Sequence, residues 1–243
     1  HFRKSKNCQH KTFKNMKLKY NHNHEELLPT ELQFWERWFK AKGGEWHDDY
    51  IHRTNNQSEV DISSWHLSGI NQEDKILDVG CGPIPICGAR LKGKRIKIIG
   101  VDPLAEEYNK LIEEYAPQVE FRGIKGTGEN LLDIFENEAF DMVISRNALD
   151  HSRDPILCIQ NMIKVCKKNG IVRFDVAENE GLFENYSGLH KWNFTLCDNK
   201  LKLWNKEEEI LMVEDYIDCE YIKVDLGDRH LSIEIKPPAF QKK

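Results

Sequence analysis

The stretch Lys75-Ile76-Leu77-Asp78-Val79-Gly80-Cys81-Gly82-Pro83 constrains this chain more than any other, because an apolar run breaks, directly behind a carboxylate, into a turn with two glycines. Apolar runs of this length bounded by glycine and proline read as buried strands. Gly80 and Gly82 admit backbone conformations closed to residues with a Cβ and let a ligand approach the main chain. A strand therefore ends, and a binding loop begins, at one place, with Asp78 at the junction.

A second strand-like run, residues 96–102, ends in Asp102, 24 positions after Asp78. That is the spacing of a βαβ unit whose second carboxylate accepts both hydroxyls of a ribose. A dinucleotide site would carry Gly-x-Gly-x-x-Gly, whereas here the third glycine position is Pro85 and an acid precedes the turn. A nicotinamide dehydrogenase is therefore the third choice.

The strand and helix rhythm continues from there. It predicts a helix over 84–91, a helix over 104–115 closed by Pro117, a strand over 119–124, a helix over 130–137 and a central strand over 140–145. Asp154-Pro155 opens a further helix, with Ile156, Ile159, Met162, Ile163 and Cys166 inward and Asn169-Gly170 as its stop; a strand over 171–176 follows. Residues 178–204 break the rhythm and hold His190, Trp192 and Phe194. A helix over 206–217 and a hairpin around Gly227-Asp228 close the chain. Upstream, Thr30 and Gln33 form a capping-box pattern before a helix with Leu32, Trp35, Trp38 and Phe39 on one face, ended by Gly43-Gly44.

Together with Gly126-Thr127-Gly128-Glu129-Asn130-Leu131 and the run Phe140-Asp141-Met142-Val143-Ile144-Ser145-Arg146-Asn147-Ala148-Leu149-Asp150-His151, residues 72–176 resemble, in order, the class I S-adenosylmethionine (SAM) dependent methyltransferases. The resemblance implies an α/β, Rossmann-like fold: a mostly parallel seven-stranded sheet with helices on both faces and a C-terminal antiparallel hairpin. It implies SAM as cofactor and S-adenosylhomocysteine (SAH) as product. Asp78, Gly80, Cys81 and Gly82 would shape the methionine pocket, and Asp102 and Pro103 would serve the ribose. Thr127, Gly128 and Glu129 would stand at the adenine, with Thr127 replacing the family's usual Asp. Arg146 and Asn147 would lie where methionine meets the acceptor.

Methyl transfer to an acceptor needs alignment and, for a hydroxyl, removal of a proton. His151 could be that base with Asp150 orienting it, or else a capping or packing histidine; His190 and His230 are alternatives. A metal shared by Asp150 or His151 with Glu178, His190 or Glu234 has no ligand spacing to support it, so the metal stays unknown.

The division expected is a basic N-terminus over 1–28, a helical lid over 29–70 and a SAM-binding domain over 71–243 with an acceptor loop over 178–204. The aromatic and polar residues between Trp46 and Trp65 either form that lid or only anchor a helix. A net charge of −5 argues against a general nucleic-acid binder. The first 19 residues, with seven Lys or Arg and no acid, are either an RNA arm or a solvated terminus. Seven cysteines without a Cys-x-x-Cys pair fit reduced thiols in a cytoplasm, and no apolar run is long enough for membrane insertion. The expected partner is a small acceptor: a sugar, a nucleotide-linked or a phosphorylated metabolite. Enzymes of surface or capsular polysaccharide pathways, including those that act on a phosphoramidate, are loosely similar. The alternatives are a tRNA or rRNA methyltransferase and a non-catalytic SAM-binding protein.

Overall fold

The structure, a computed structural model, describes residues 24–60, 67–207 and 209–239. The basic segment up to residue 23, and Trp65, lie outside the described residues. The helices are α1 (His24–Lys40), α2 (His47–Thr54), α3 (Ala105–Tyr115), α4 (Leu131–Ile134), α5 (Pro155–Val165) and α6 (Glu180–Phe183). The strands are β1 (Lys75–Val79), β2 (Arg90–Leu91), β3 (Lys94–Arg95), β4 (Lys97–Asp102), β5 (Ile124–Lys125), β6 (Phe140–Arg146), β7 (Cys166–Ala177), β8 (Trp192–Cys197), β9 (Lys200–Asn205), β10 (Ile210–Met212), β11 (Tyr221–Gly227) and β12 (His230–Lys236).

Seven strands form one sheet in the order β11-β12-β7-β6-β1-β4-β5. The five from β7 to β5 run parallel, and β12 and β11 close the sheet antiparallel. Strands β6 and β1 are central and apolar because both of their faces are covered, as parallel sheets require. Leu77, Val79 and Val143 pack toward α5 and β8, while Ile76, Met142 and Ile144 face Val60, Leu67 and Leu91. The chain order reverses between β1 and β6, so a crevice opens beyond their carboxyl ends.

Several elements differ from expectation, each for a local reason. No helix forms over 84–91. Gly88 sits at φ +82 with its α-carbon against the Glu59 main chain, and Lys92 and Gly93, both at positive φ, turn β2 into β3. The strand expected over 119–124 shrinks to β5, and the helix over 130–137 to a 3₁₀ turn followed by α4. Helix α5 stops at Val165 rather than at Asn169-Gly170, because Ala139 and Glu138 donate to its last carbonyls and Cys166 pairs with Phe140.

Residues 178–204 are not a loop, since β8, β9 and β10 form a separate antiparallel sheet. The helix over 206–217 is also absent. Asn205 accepts from the Glu207 and Glu209 amides, a local bond that competes with a helix, and Leu211 and Val213 are buried in strand-like alternation. Residues 24–28 lie within helix α1, so they belong to the helical cap. Thr30 lies inside the helix rather than at its cap, its hydroxyl donating to the Leu27 carbonyl. Gly43, at φ +84, does end α1, and the hairpin turn is Asp228-Arg229, with Gly227 paired to His230.

Candidate active site

Strand β1 delivers Asp78 to the crevice and the chain then folds back over β4. Gly80 N donates to the Val101 carbonyl at 2.8 Å, and Gly82 N to Asp102 Oδ2 at 3.0 Å. Both glycines have positive φ. A Cβ on Gly80 would stand 2.5 Å from the Ala148 Cβ, and one on Gly82 would stand 3.3 Å from the Trp35 ring. The two glycines are thus required by conformation and by close approach. Cys81 turns inward, its thiol against Gly100 and pushed well above its ordinary pKa by burial and by the charges of Asp102 and Asp78.

Asp102, at the end of β4, holds the loop together: Oδ2 accepts from Gly82 and Oδ1 from the Leu104 amide at 2.9 Å. Burial pushes its carboxyl up to about 6, against the pull of those two amides. Asp78 is raised further, to about 7, by burial, with Arg53 opposing and Asp102 reinforcing the shift. Pro103 lines the same cavity, whose volume is about 1050 Å³.

After β5, Thr127 caps the next turn, its amide donating to Asn130 Oδ1 at 2.7 Å. Thr127 and Gly128 line the cavity. Glu129 does so as well, but its carboxylate accepts from the Arg153 and Asp154 amides at 2.8 and 3.1 Å, so it braces the turn into α5. At the end of β6, Asn147 adopts φ +47, donating its amide to the Asp175 carbonyl and accepting from Ala177. Arg146 lies 3.6 Å from Asp175 and opens onto the cavity.

The next turn, Leu149–His151, carries Asp150 and His151, and His190 arrives from the segment before β8. His190 Nδ1 is 2.8 Å from Asp150 Oδ2 and 3.0 Å from His151 Nε2. Burial opposes charge on His190, but the hydrogen bond and charge of Asp150 outweigh it and raise the imidazole pKa. The three expected catalytic residues, 40 positions apart in sequence at the extremes, therefore converge. Trp192 and Phe194 do not join them: both are fully buried in β8. Glu234 pairs with Arg173 and Tyr221, away from the cluster, and His230 is exposed on the hairpin.

Sequence reasoning left Arg53 and Trp35 unassigned. Arg53 is held by Asp49 at 2.8 Å and by the Ile84 carbonyl at 2.9 Å, with its guanidinium over the Trp35 ring. Trp35 in turn donates to Glu31 at 2.9 Å. Both line the cavity, so α1 and α2 roof the site as well as anchoring the N-terminal segment. A single arginine among the polar residues that follow Trp46 was the available signal.

A family model described as a methyltransferase domain matches residues 70–216. The chain belongs to the class I methyltransferases. An uncharacterised methyltransferase of Schizosaccharomyces pombe is 29% identical over 133 residues, which are 51% of this chain and 48% of the relative; the chain thus spans about half the length of that relative. Among solved structures, a possible histamine N-methyltransferase of Thermotoga maritima superposes with TM-score 0.53 at 16% identity, covering 88% of this chain and 100% of its own. A SAM-dependent methyltransferase described as putative, from Methanococcus maripaludis, gives 0.54 at 14% identity, covering 93% and 98%. These distant likenesses confirm the fold.

The cofactor is S-adenosylmethionine. The methyltransferase cradle fits it: buried Asp78 and Arg53 offer opposite charges for the two ends of an amino acid, and Asp102 retains a second lone pair on each oxygen for a ribose diol. With the cofactor's ammonium on Asp78, a proton would compete with it, and SAH affinity is then expected to fall about tenfold per pH unit below about 7. The sign for folding is opposite. Both acids are raised from 3.8, so each stabilises the ligand-free protein fully below about 4, and that contribution is lost as pH rises through about 6 for Asp102 and about 7 for Asp78. The thermal shift caused by SAH should accordingly be larger at pH 8 than at pH 5.5; equal shifts would place the ammonium elsewhere.

Proposed function

We propose that this methyltransferase transfers the methyl group to an oxygen of a small polar acceptor: a sugar, a sugar nucleotide or a phosphorylated or phosphoramidate metabolite of capsule or surface-glycan synthesis. The observation that carries it is the cavity of about 1050 Å³, roofed by α1 and α2 and lined beyond the cofactor cradle by Arg146, Arg153, Glu180, Glu184, His151 and His190. That volume stands at the upper end of the roughly 300–1,000 Å³ of ordinary ligand pockets, which suits a donor and a small acceptor side by side. Its far end is charged, which suits a polar acceptor better than an apolar one.

When bound, SAM supplies a methyl group already activated by its sulfonium. The chain then has two tasks. Asp78, Arg53 and Asp102 fix the donor, and the Asp150, His151 and His190 cluster orients the acceptor hydroxyl and assists the loss of its proton as the new carbon–oxygen bond forms and the methyl–sulfur bond breaks. Transfer from labelled SAM to a panel of sugar nucleotides, sugar phosphates and bulk tRNA and rRNA tests the acceptor class. Labelling of a sugar or phosphorylated metabolite supports the proposal; labelling of RNA alone would replace it with the nucleic-acid alternative.

A further inference from the structure

Two imidazole nitrogens and a carboxylate oxygen come together here. His151 Nε2, His190 Nδ1 and Asp150 Oδ2 form a triangle with edges of 3.0, 2.8 and 3.5 Å. Protons alone satisfy this arrangement poorly. A proton on His190 Nδ1 points at Asp150 or at His151 but cannot lie in line with both, and 3.5 Å is too long for a good hydrogen bond between His151 and Asp150. Asp150 is 1% exposed, yet its Oδ1 has no hydrogen-bond partner among the described residues. A buried carboxylate left half-satisfied is costly.

We propose that Asp150, His151 and His190 bind a divalent first-row transition ion. Donor atoms about 2.1 Å from a shared cation are separated by about 3.0–3.4 Å in octahedral or tetrahedral arrangements, which is the size of this triangle. The three occupy one face of such an ion, and the two histidines line the cofactor cavity while Asp150 lies behind them, so the open positions face the acceptor. Two imidazoles with one carboxylate suit zinc, cobalt, nickel, iron or manganese, whereas magnesium and calcium prefer all-oxygen sites.

The site is preorganised. The Lys191 amide donates to the Asp150 carbonyl at 3.2 Å and the Trp192 indole to the Ser152 carbonyl at 3.1 Å, tying the two ligand-bearing segments together on both sides. Glu180 and Glu184 add negative charge near His190. Resting on the methyltransferase reading, the ion would take the acceptor oxygen and lower the pKa of its hydroxyl, whose proton leaves to solvent; the alkoxide lone pair would then form the new bond to the methyl carbon as the methyl–sulfur bond breaks and its electron pair stays on the sulfur of SAH. The histidines then serve as ligands, and the proton needs no protein base.

Chelator-treated protein, freed of any affinity tag, should be titrated with Co(II) and Zn(II), with Mg(II) as control, by calorimetry and visible absorption, and with SAH in parallel. The result expected is one equivalent of Co(II) or Zn(II) at micromolar or tighter Kd with cobalt ligand-field bands, weakened at least 100-fold in both His190→Ala and His151→Ala, each still binding SAH. No saturable binding to the wild-type chain, or binding by both variants as tight as that of the wild type, would overturn the site. SAH binding without metal would remove the ion and keep the methyltransferase reading; metal binding without SAH would do the reverse.

Discussion

Trp192→Ala is expected to lower the unfolding free energy by about 3–5 kcal/mol, the usual range for deleting a large aromatic from a packed core. Trp192 is fully buried among β7, β9 and α5, and its indole donates to the Ser152 carbonyl at 3.1 Å. The loss combines a cavity with an unpaired acceptor beside the His151 turn. Trp192→Phe, which keeps most of the ring but removes the donor, should cost less. Urea denaturation followed by circular dichroism measures both. A tryptophan that contacted the acceptor would behave differently, since its removal would leave stability intact and change only substrate affinity.

The second large effect falls on the cofactor. Asp102→Ala is expected to weaken SAH binding by about 1.5–3 kcal/mol, because it would remove the charge-assisted pair of hydrogen bonds proposed to the ribose. It also frees the Gly82 and Leu104 amides, which loosens the glycine turn that Asp102 holds against β4. Thermal melting of the ligand-free variant separates the two contributions, and calorimetry with SAH reads the first. Affinity equal to that of the wild type would end the ribose assignment.

The sheet and the cofactor loops were legible because their signals are local. An apolar run that ends in Asp78 and Gly80, another that ends in Asp102, and Asp154-Pro155 before an apolar stripe each declare an element within a few residues. What failed depended on partners far away. Residues 84–91 pass for a helix until the Glu59 main chain is seen lying against Gly88. The charged stretch after Asn205 has helical composition, but the Asn205 side chain takes its amides and β9 takes its apolar residues. Trp192 and Phe194 looked like binding residues because they sit among polar neighbours, and only the packing of β8 on β7 shows them as core.

The site divides in the same way. Asp78, Gly80, Gly82 and Asp102 follow from strand ends, and the structure brings all four to one cavity. Asp150 and His151 are adjacent in the sequence, but nothing in the spacing brings His190 to them; the Lys191–Asp150 main-chain bond holds that convergence. Glu129 was placed at the adenine by motif position, yet its carboxylate is committed to the Arg153 and Asp154 amides. Arg53 was hidden because a lid residue carries no motif of its own.

Calorimetric titration of the purified protein with SAH, with NADH and NADPH as controls, tests the central claim most directly. Micromolar binding of SAH, stronger at pH 8 than at pH 6 and without binding of either nicotinamide, is the result expected. Failure to bind SAH, or binding of a nicotinamide in its place, would contradict the cofactor assignment and every role derived from it.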